Sequence, residues 1–579
     1  MHRRLWLVVG AAAAIAVIAV ASAAASTKGA SGSRVLAAAP FSQAWANVPK
    51  TTAARKAKTT LIFGMEQDVT GFNVLDGDET AVWAQTPGIT PVIRSMYIND
   101  QNGGYRLDLA SKVVATPKTL TIFIKKNANW MWGSRKVPVT GADFVYTWKS
   151  LINPKNNAAT TTGYSQITGA KLVGQKEVIF TWKPAFADYR DLFAPVLPSK
   201  ALAGLDFNTF WANCVCGNDG KPVSDGPFYV SNYTRGQGMT LRRNPTWYGP
   251  KAKLSEIDWK LITDTNSEIQ AMRGGEVDAI FPQPQTALAQ LQHQSGLSYS
   301  AISGFTQEHL DFQFGPKGQP LLRQPWMRQA IAMGINRTSL IRALYSQIAP
   351  HQKPLNNAYY EIGPTSQGSN ANFTKWNFAP GKALALMKSH CTGGPSKPTP
   401  NNTAIWTCNG QKAEFKFSTT VSNSRRATSA AIFTSQLASI GIKLDPEFLP
   451  ANPTFFGERL PAHDFDIAEY AWSGSPDPSG FDAIYQCVNP AKNLGGQNYK
   501  MYCNPKVDAL QKKGDSDLNP ETRTAFYEQA AKLVANDLAI FPLYSPPQIL
   551  VHKTAVKGME NSNNPTSFGP TWNAEQWHW

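Results

Sequence analysis

LTIFIKKNANWMWGSRKVPVTGADFVYTWKSL, residues 120–151, is the stretch whose reading decides the fold. Leu120, Ile122 and Ile124 fall on one face of an extended segment, the period of two that marks a strand. A Gly-containing turn at Gly133 follows. Thr140 and Asp143 then stand at capping-box spacing, and Phe144, Trp148 and Leu151 recur on one helical face. Asn153–Pro154 stops the helix. A strand, a tight turn and a capped amphipathic helix within one short stretch predict a mixed α/β chain.

The same mixture continues on either side. TTLIFGMEQD predicts a strand starting near Thr60, and GPFYVSNYTRGQGMTLRRNPTWYG predicts a hairpin turning at Gly236 to Gly238. WMRQAIAMGINRTSLIRALY reads as two helical pieces broken at Gly334, with Asn336 capping the second. GKALALMKSH is a short helix, residues 425–440 form an amphipathic one, and GIKLDPEF is a strand. Pro520 opens a helix through Asp537, with Phe526, Ala530, Leu533 and Val534 on its buried side. No βα period repeats, and no internal repeat is found.

With 579 residues the chain is too long for one core, so several lobes are expected. Hydrophobic residues at 42% and charged residues at 17% describe a folded protein rather than a disordered one. The net charge is +16, yet the basic residues are scattered singly or in pairs such as Arg242–Arg243 and Arg425–Arg426. Nucleic-acid binders concentrate charge on one stripe, so no nucleic-acid partner is expected.

Arg3 and Arg4 precede an apolar stretch from Leu5 to about Ala25 that ends in ASAAAS. Residues 1–25 are therefore expected to be a secretory signal peptide, or an N-terminal membrane anchor if they stay uncleaved. The stretch contains no lipobox cysteine. Residues 26–57, rich in Ala, Ser, Gly and Lys, read as a disordered linker. Six cysteines fit an oxidising, extracytoplasmic compartment. They fall in neighbouring pairs, Cys214 with Cys216, Cys391 with Cys408 and Cys487 with Cys503, and local pairing is expected. Cys214-Val215-Cys216 has no His or second Cys pair at metal-site spacing around it.

The chain carries no phosphate-binding loop, no G-x-S-x-G, no H-E-x-x-H and no dinucleotide fingerprint. Its eight histidines are dispersed. His463 near Asp464 and Asp466 reads as a solvated strand edge, and Asp76 with Asp78 as a turn. No enzyme activity and no cofactor are expected, which points towards a binding protein.

One further stretch, FDIAEYAWSGSPDPSGF (465–481), begins as a half-buried strand and changes at Trp472 to turn residues. Taken alone it fits a hairpin beside a structural Trp. In company it reads differently. The 120–151 stretch, SDGPFYVSNYTRGQGMTLRRNPTWYG (224–249), AMRGGEVDAIF (271–281), MRQAIAMGINRTSLI (327–341) and SIGIKLDPEF, in this order, resemble the bacterial extracellular solute-binding proteins of family 5. These are the oligopeptide- and dipeptide-binding subunits of ABC importers.

The resemblance implies a three-lobed, periplasmic-binding-protein-like fold of class II with a hinged cleft. Lobe I would comprise 58–95, 225–305 and 550–579, lobe II would be the insertion 96–224, and lobe III would be 306–549. It implies a monomer that captures a peptide ligand and delivers it to the membrane permease subunits of an ABC transporter. By the same resemblance Ala471, Trp472 and Ser473 would pair with an extended peptide by β-augmentation, while Trp83, Gln85 and Tyr164 would also face the ligand. One departure matters. Peptide-binding members place an Asp three residues after the Trp to meet the peptide's amine, and here that position is Ser475. Asp477 or Glu469 would then take the role. Otherwise the ligand lacks a free amine and is a metal chelate, haem, sugar or glycolipid-like solute. A surface-anchored interaction protein that has lost transport is the alternative from another class.

Overall fold

The structure is a computed structural model that describes residues 59–77, 79, 88–352, 371–421, 423–473, 476, 478–488 and 497–579. The expected signal or anchor (1–25) and linker (26–57) lie outside the described residues.

Strand β1 (Thr60–Met65) sits inside a seven-stranded sheet, parallel to Glu256–Leu261 on one side and to Ala279–Ile280 on the other. Leu61, Phe63 and Met65 are fully buried, as expected of a parallel strand covered on both faces. The predicted hairpin forms the outer pair of this sheet, Phe228–Thr234 with Gly238–Arg243. The chain's last long strand, Pro547–Lys553, returns to the same sheet between Ala279–Ile280 and Leu297–Ser303.

The 120–151 stretch supplies its hairpin, Asn129–Trp132 with Arg135–Pro138, to a three-stranded sheet, and an inner strand, Thr119–Ile124, to a separate antiparallel sheet of four strands. Leu120, Ile122 and Ile124 point into its core, and helix α1 (Gly141–Leu151) buries Phe144, Trp148 and Leu151 against them. The capping box is present, with the Thr140 amide donating to Asp143 Oδ2 at 2.8 Å. Asp143 Oδ1 also accepts from the Ser199 amide and hydroxyl, at 2.9 and 2.6 Å. One carboxylate thus caps the helix and ties it to the following segment.

A five-stranded sheet completes the layers. Its strands are β2 (Thr306–Phe312), β3 (Glu414–Thr420), β4 (Lys443–Leu449), β5 (Ile467–Ser473) and β6 (Ile540–Tyr544), ordered β4-β3-β5-β2-β6. The chain passes between the seven- and five-stranded sheets at 304–305 and again at 545–546. These are the two adjacent crossovers about which a cleft between the sheets can open.

The helices broken at Gly334 are Pro325–Gly334 and Arg337–Tyr345, with the Asn336 side chain accepting from the Ser339 amide at 3.0 Å. In the helix Pro520–Asp537 the buried face is rotated by one residue from the expected one. Tyr527, Ala530, Ala531, Val534 and Ala535 are inward, and Phe526 is only half-buried. The Tyr527 hydroxyl donates to Asp515 Oδ1 at 2.6 Å, which draws that ring inside in place of its neighbour. All three local disulfides form, Cys214–Cys216, Cys391–Cys408 and Cys487–Cys503. Among the described residues, no helix is long and apolar enough to cross a membrane.

Candidate functional site: an open strand edge between two sheets

Strand β5 decides the site. It pairs with β2 antiparallel along its whole length, from Ile467 opposite Phe312 to Ser473 opposite Thr306. On its other side it pairs with β3 only at Ile467 and Ala468. The Thr419 hydroxyl still reaches the Glu469 carbonyl at 2.9 Å, and the ladder goes no further. Ala471 to Ser473 therefore present an edge with no strand on the β3 side among the described residues. A strand with one ladder and one open side is a template for another extended chain.

The strand is buried on both faces where the sequence suggested only one. Alternation puts Ala468, Tyr470 and Trp472 on one side, and Ile467, Glu469 and Ala471 on the other. Trp472 is half-buried in an aromatic stack, 5.9 Å from Tyr499 at 19° and 6.5 Å from His309 at 8°. Tyr470 meets it edge-on at 5.4 Å. Tyr499 is held by its carbonyl, which accepts from Gln313 Nε2 at 3.0 Å. The indole N–H of Trp472 is shielded from solvent and has no hydrogen-bond partner among the described residues.

Beneath the aromatic face, Asp311 Oδ2 accepts from the Tyr470 hydroxyl at 2.5 Å, and Lys500 Nζ lies 3.4 Å from Asp311 Oδ1. Burial lowers the pKa of His309, although Asp311 beside it pulls the other way, so the imidazole is neutral at pH 7.

On the opposite face, Glu308 accepts from Arg426 Nε at 2.7 Å, with Arg425 Nη1 at 3.6 Å. Burial works to raise the Glu308 pKa, but Arg426 and then Arg425 outweigh it and hold the carboxyl below its ordinary value. Glu469 is the reverse case. Burial, and then the charge of Glu308, push its pKa well above the ordinary carboxylate value. Glu469, one of the two expected anchors for a peptide amine, is fully buried on this face.

Tyr164 is likewise placed inside. It is 4% exposed, its hydroxyl accepts from the Phe193 amide at 2.6 Å, and its ring meets Phe193 edge-on at 5.5 Å. It braces the core of the four-stranded sheet instead of facing a cleft. Ala471, Trp472 and the backbone of Ser473 lie together at the open edge. Trp83, Gln85, Ser475 and Asp477 lie outside the described residues.

Two polar seams join the sheets around this edge. In the first, Ser424 Oγ donates to Gln285 Oε1 at 3.0 Å, and Asn423 Nδ2 lies 3.5 Å from Gln283 Oε1. The Gln283 amide donates in turn to Glu66 at 2.8 Å, and the Thr265 hydroxyl donates to the same carboxylate. In the second, Ser479 Oγ donates to Asp188 Oδ2 at 2.6 Å, and the Ala187 amide donates to the Asp515 carbonyl at 2.7 Å. The sequence reading missed His309, Tyr499, Glu308 and the role of Arg425–Arg426. The basic pair was the visible signal, since two arginines in the first turn of an amphipathic helix need a buried acid to face.

A seven-, a four- and a five-stranded sheet, two crossovers and an open strand edge frame this region. The chain belongs to the bacterial extracellular solute-binding proteins, family 5, whose model matches residues 104–492. It is 25% identical to the oligopeptide-binding protein OppA of Mycobacterium tuberculosis (strain H37Rv) over 458 residues, which is 76% of this chain and 71% of that protein. Its fold is similar to the periplasmic EDTA-binding protein EppA, with TM-score 0.77 and 22% identity over 90% of this chain and 96% of that one. It is similar also to the oligopeptide-binding protein AppA from Bacillus subtilis in complex with a nonapeptide, with TM-score 0.72 and 20% identity over 90% and 99%.

Proposed function

We propose that this chain is the extracytoplasmic capture subunit of an ABC importer for oligopeptides. The observation that carries the reading is the open edge of β5 at Ala471–Ser473, bordered by a Trp472 indole N–H that, like that edge, has no partner among the described residues. An extended peptide adds to this edge through its backbone, so affinity depends little on its side chains, and the Trp472–Tyr499 stack walls a side-chain pocket. Lobes built on the seven-stranded sheet (58–95, 225–305, 550–579) and the five-stranded sheet (306–549) close about the crossovers, with 96–224 as the inserted lobe. The closed monomer is the form a membrane permease recognises. Residues 1–25 direct export. No bond is made or broken in this cycle. The curated relative named for oligopeptides supports the ligand class.

Native mass spectrometry of the purified protein tests this reading. A heterogeneous series of co-purifying peptides is expected, and a single defined small molecule in the cleft would overturn the peptide assignment.

Ser475, which stands where peptide-binding members place an Asp, supports a second reading in which the solute has no free amine. The fold it shares with an EDTA-binding protein fits such a solute. The same mass spectrum separates the two.

A further inference from the structure

We infer that Asp188 and Ser479 form a closure latch, a pair outside the ligand-facing edge that sets how tightly the cleft holds its solute. The inference rests on the cleft reading above and adds to it the element that shifts the balance between open and closed forms.

Asp188 belongs to the inserted lobe and immediately precedes the short helical turn Tyr189–Asp191. Ser479 belongs to the lobe of the five-stranded sheet, 291 residues away. Their side chains are 4% and 2% exposed, and Ser479 Oγ donates to Asp188 Oδ2 at 2.6 Å. Tyr105 of the inserted lobe adds a weaker contact from its hydroxyl to Oδ1, at 3.4 Å. A carboxylate loses strong hydration on burial, and hydrogen bonds must replace it. Part of that replacement comes here from the other lobe, so this arrangement exists only with the lobes together.

The contact is backed by rigid structure on both sides. The Ala187 amide donates to the Asp515 carbonyl at 2.7 Å, near the end of the helix Pro505–Ser516. Asp515 is fixed in turn by the Tyr527 hydroxyl at 2.6 Å. Leu518 follows and packs against the core that holds Phe186 and Leu192. Opening the cleft on this side therefore breaks a side-chain bond, a backbone bond and an apolar contact together.

Position links the latch to the solute. Ser479 stands in the turn Pro478–Phe481, which ends the loop leaving β5 after Trp472 and Ser473. Ser479 is six positions on from Ser473, so a solute seated on the β5 edge and the bond to Asp188 act on neighbouring parts of the same chain segment. Ligand and latch both stabilise the closed form, and each makes the other's contact cheaper to hold.

The test uses the full exported protein and the variants Ser479→Ala, Asp188→Asn and Asp188→Ala. Small-angle scattering is recorded without ligand and with a pool of synthetic tri- to nonapeptides, and calorimetry gives the affinity for that pool. Ser479→Ala and Asp188→Ala are expected to scatter as a more open particle and to bind the pool about tenfold more weakly, the effect of one lost charge-assisted hydrogen bond. Asp188→Asn keeps an acceptor for the serine and falls between. Scattering and affinity equal to wild type in Ser479→Ala, with its thermal unfolding unchanged, would overturn the latch. The two alanine variants lie on different lobes, so misfolding of one leaves the other to decide. If the wild type ignores peptides, the ligand assignment fails, while ligand-free scattering still decides the latch.

Discussion

The Trp472 ring lies 5.9 Å from Tyr499, with the two planes only 19° apart, beside a stretch of β5 that pairs with no strand on its β3 side among the described residues. On the proposed reading the indole would wall the edge, and its N–H is buried without a hydrogen-bond partner among the described residues. Trp472→Ala is expected to weaken binding of the peptide pool at least tenfold, roughly the loss of one well-packed aromatic anchor. Isothermal titration reads the affinity, and circular dichroism checks that the fold persists. An unchanged affinity would remove Trp472 from the ligand site.

Glu308 and Glu469 face the same two arginines with pKa values shifted in opposite directions, and their amide variants should differ accordingly. Glu308→Gln leaves Arg425 and Arg426 buried without their counter-charge, a loss of about 3–5 kcal/mol. Glu469→Gln keeps the shape of the side chain and removes a carboxyl whose charged form burial disfavours. The sign with pH follows from linkage. The Glu469 pKa is raised on folding from its ordinary 4.5, so the unfolded chain gives up this proton at lower pH than the folded one. That residue's contribution to wild-type stability is present at acid pH and declines as pH rises above the unfolded value. Glu469→Gln should thus gain stability over wild type from pH 4 to pH 7. Urea melts across that range read the difference, and a gap that narrows with rising pH would contradict the assignment.

The contrast between these acids also marks what the linear pattern hides. The strand–turn–helix of 120–151 was legible because its signals are local: alternation at Leu120, Ile122 and Ile124, then a cap and an apolar stripe at helical spacing. Strand β5 was legible as a strand, but its polarity misled. Glu469 was read as a candidate amine anchor, because a buried acid is betrayed only by partners distant in sequence, Glu308 and Arg426 among them. Tyr164 turned inward for a similar reason, since the Phe193 amide that needs its oxygen lies 29 residues on. The seams between the sheets depend on the meeting of segments hundreds of residues apart, and no periodicity records such meetings.

Asp143 concentrates several local bonds in one carboxylate. It accepts from the Thr140 amide, from the Ser199 amide and hydroxyl, and from Trp130 Nε1 at 3.3 Å. Asp143→Ala removes the helix cap and orphans buried donors together, for an expected loss of about 2–4 kcal/mol. Asp143→Asn, which keeps the acceptor but not the charge, should recover about half of that loss. Chemical denaturation checks both, and equal stability of all three proteins would show that the cap is dispensable.

The disulfides should separate by loop and by access. Cys391–Cys408 spans 17 residues, and Cys408 is fully buried in the core beside Trp406 and Phe415. Removing it as a Cys391→Ala and Cys408→Ala pair is expected to cost about 3 kcal/mol in the chain-entropy account, against about 1.5 kcal/mol for the two-residue spacing of Cys214–Cys216. Cys214 is exposed, so a thiolate reductant reaches that bond first. Timed alkylation after mild reduction, read by peptide mass, should label Cys214 and Cys216 well before Cys391 and Cys408. Melting midpoints of the double variants then rank the two bonds. A larger loss from the Cys214–Cys216 pair would mean that this bond holds the inserted lobe together, not merely its surface loop.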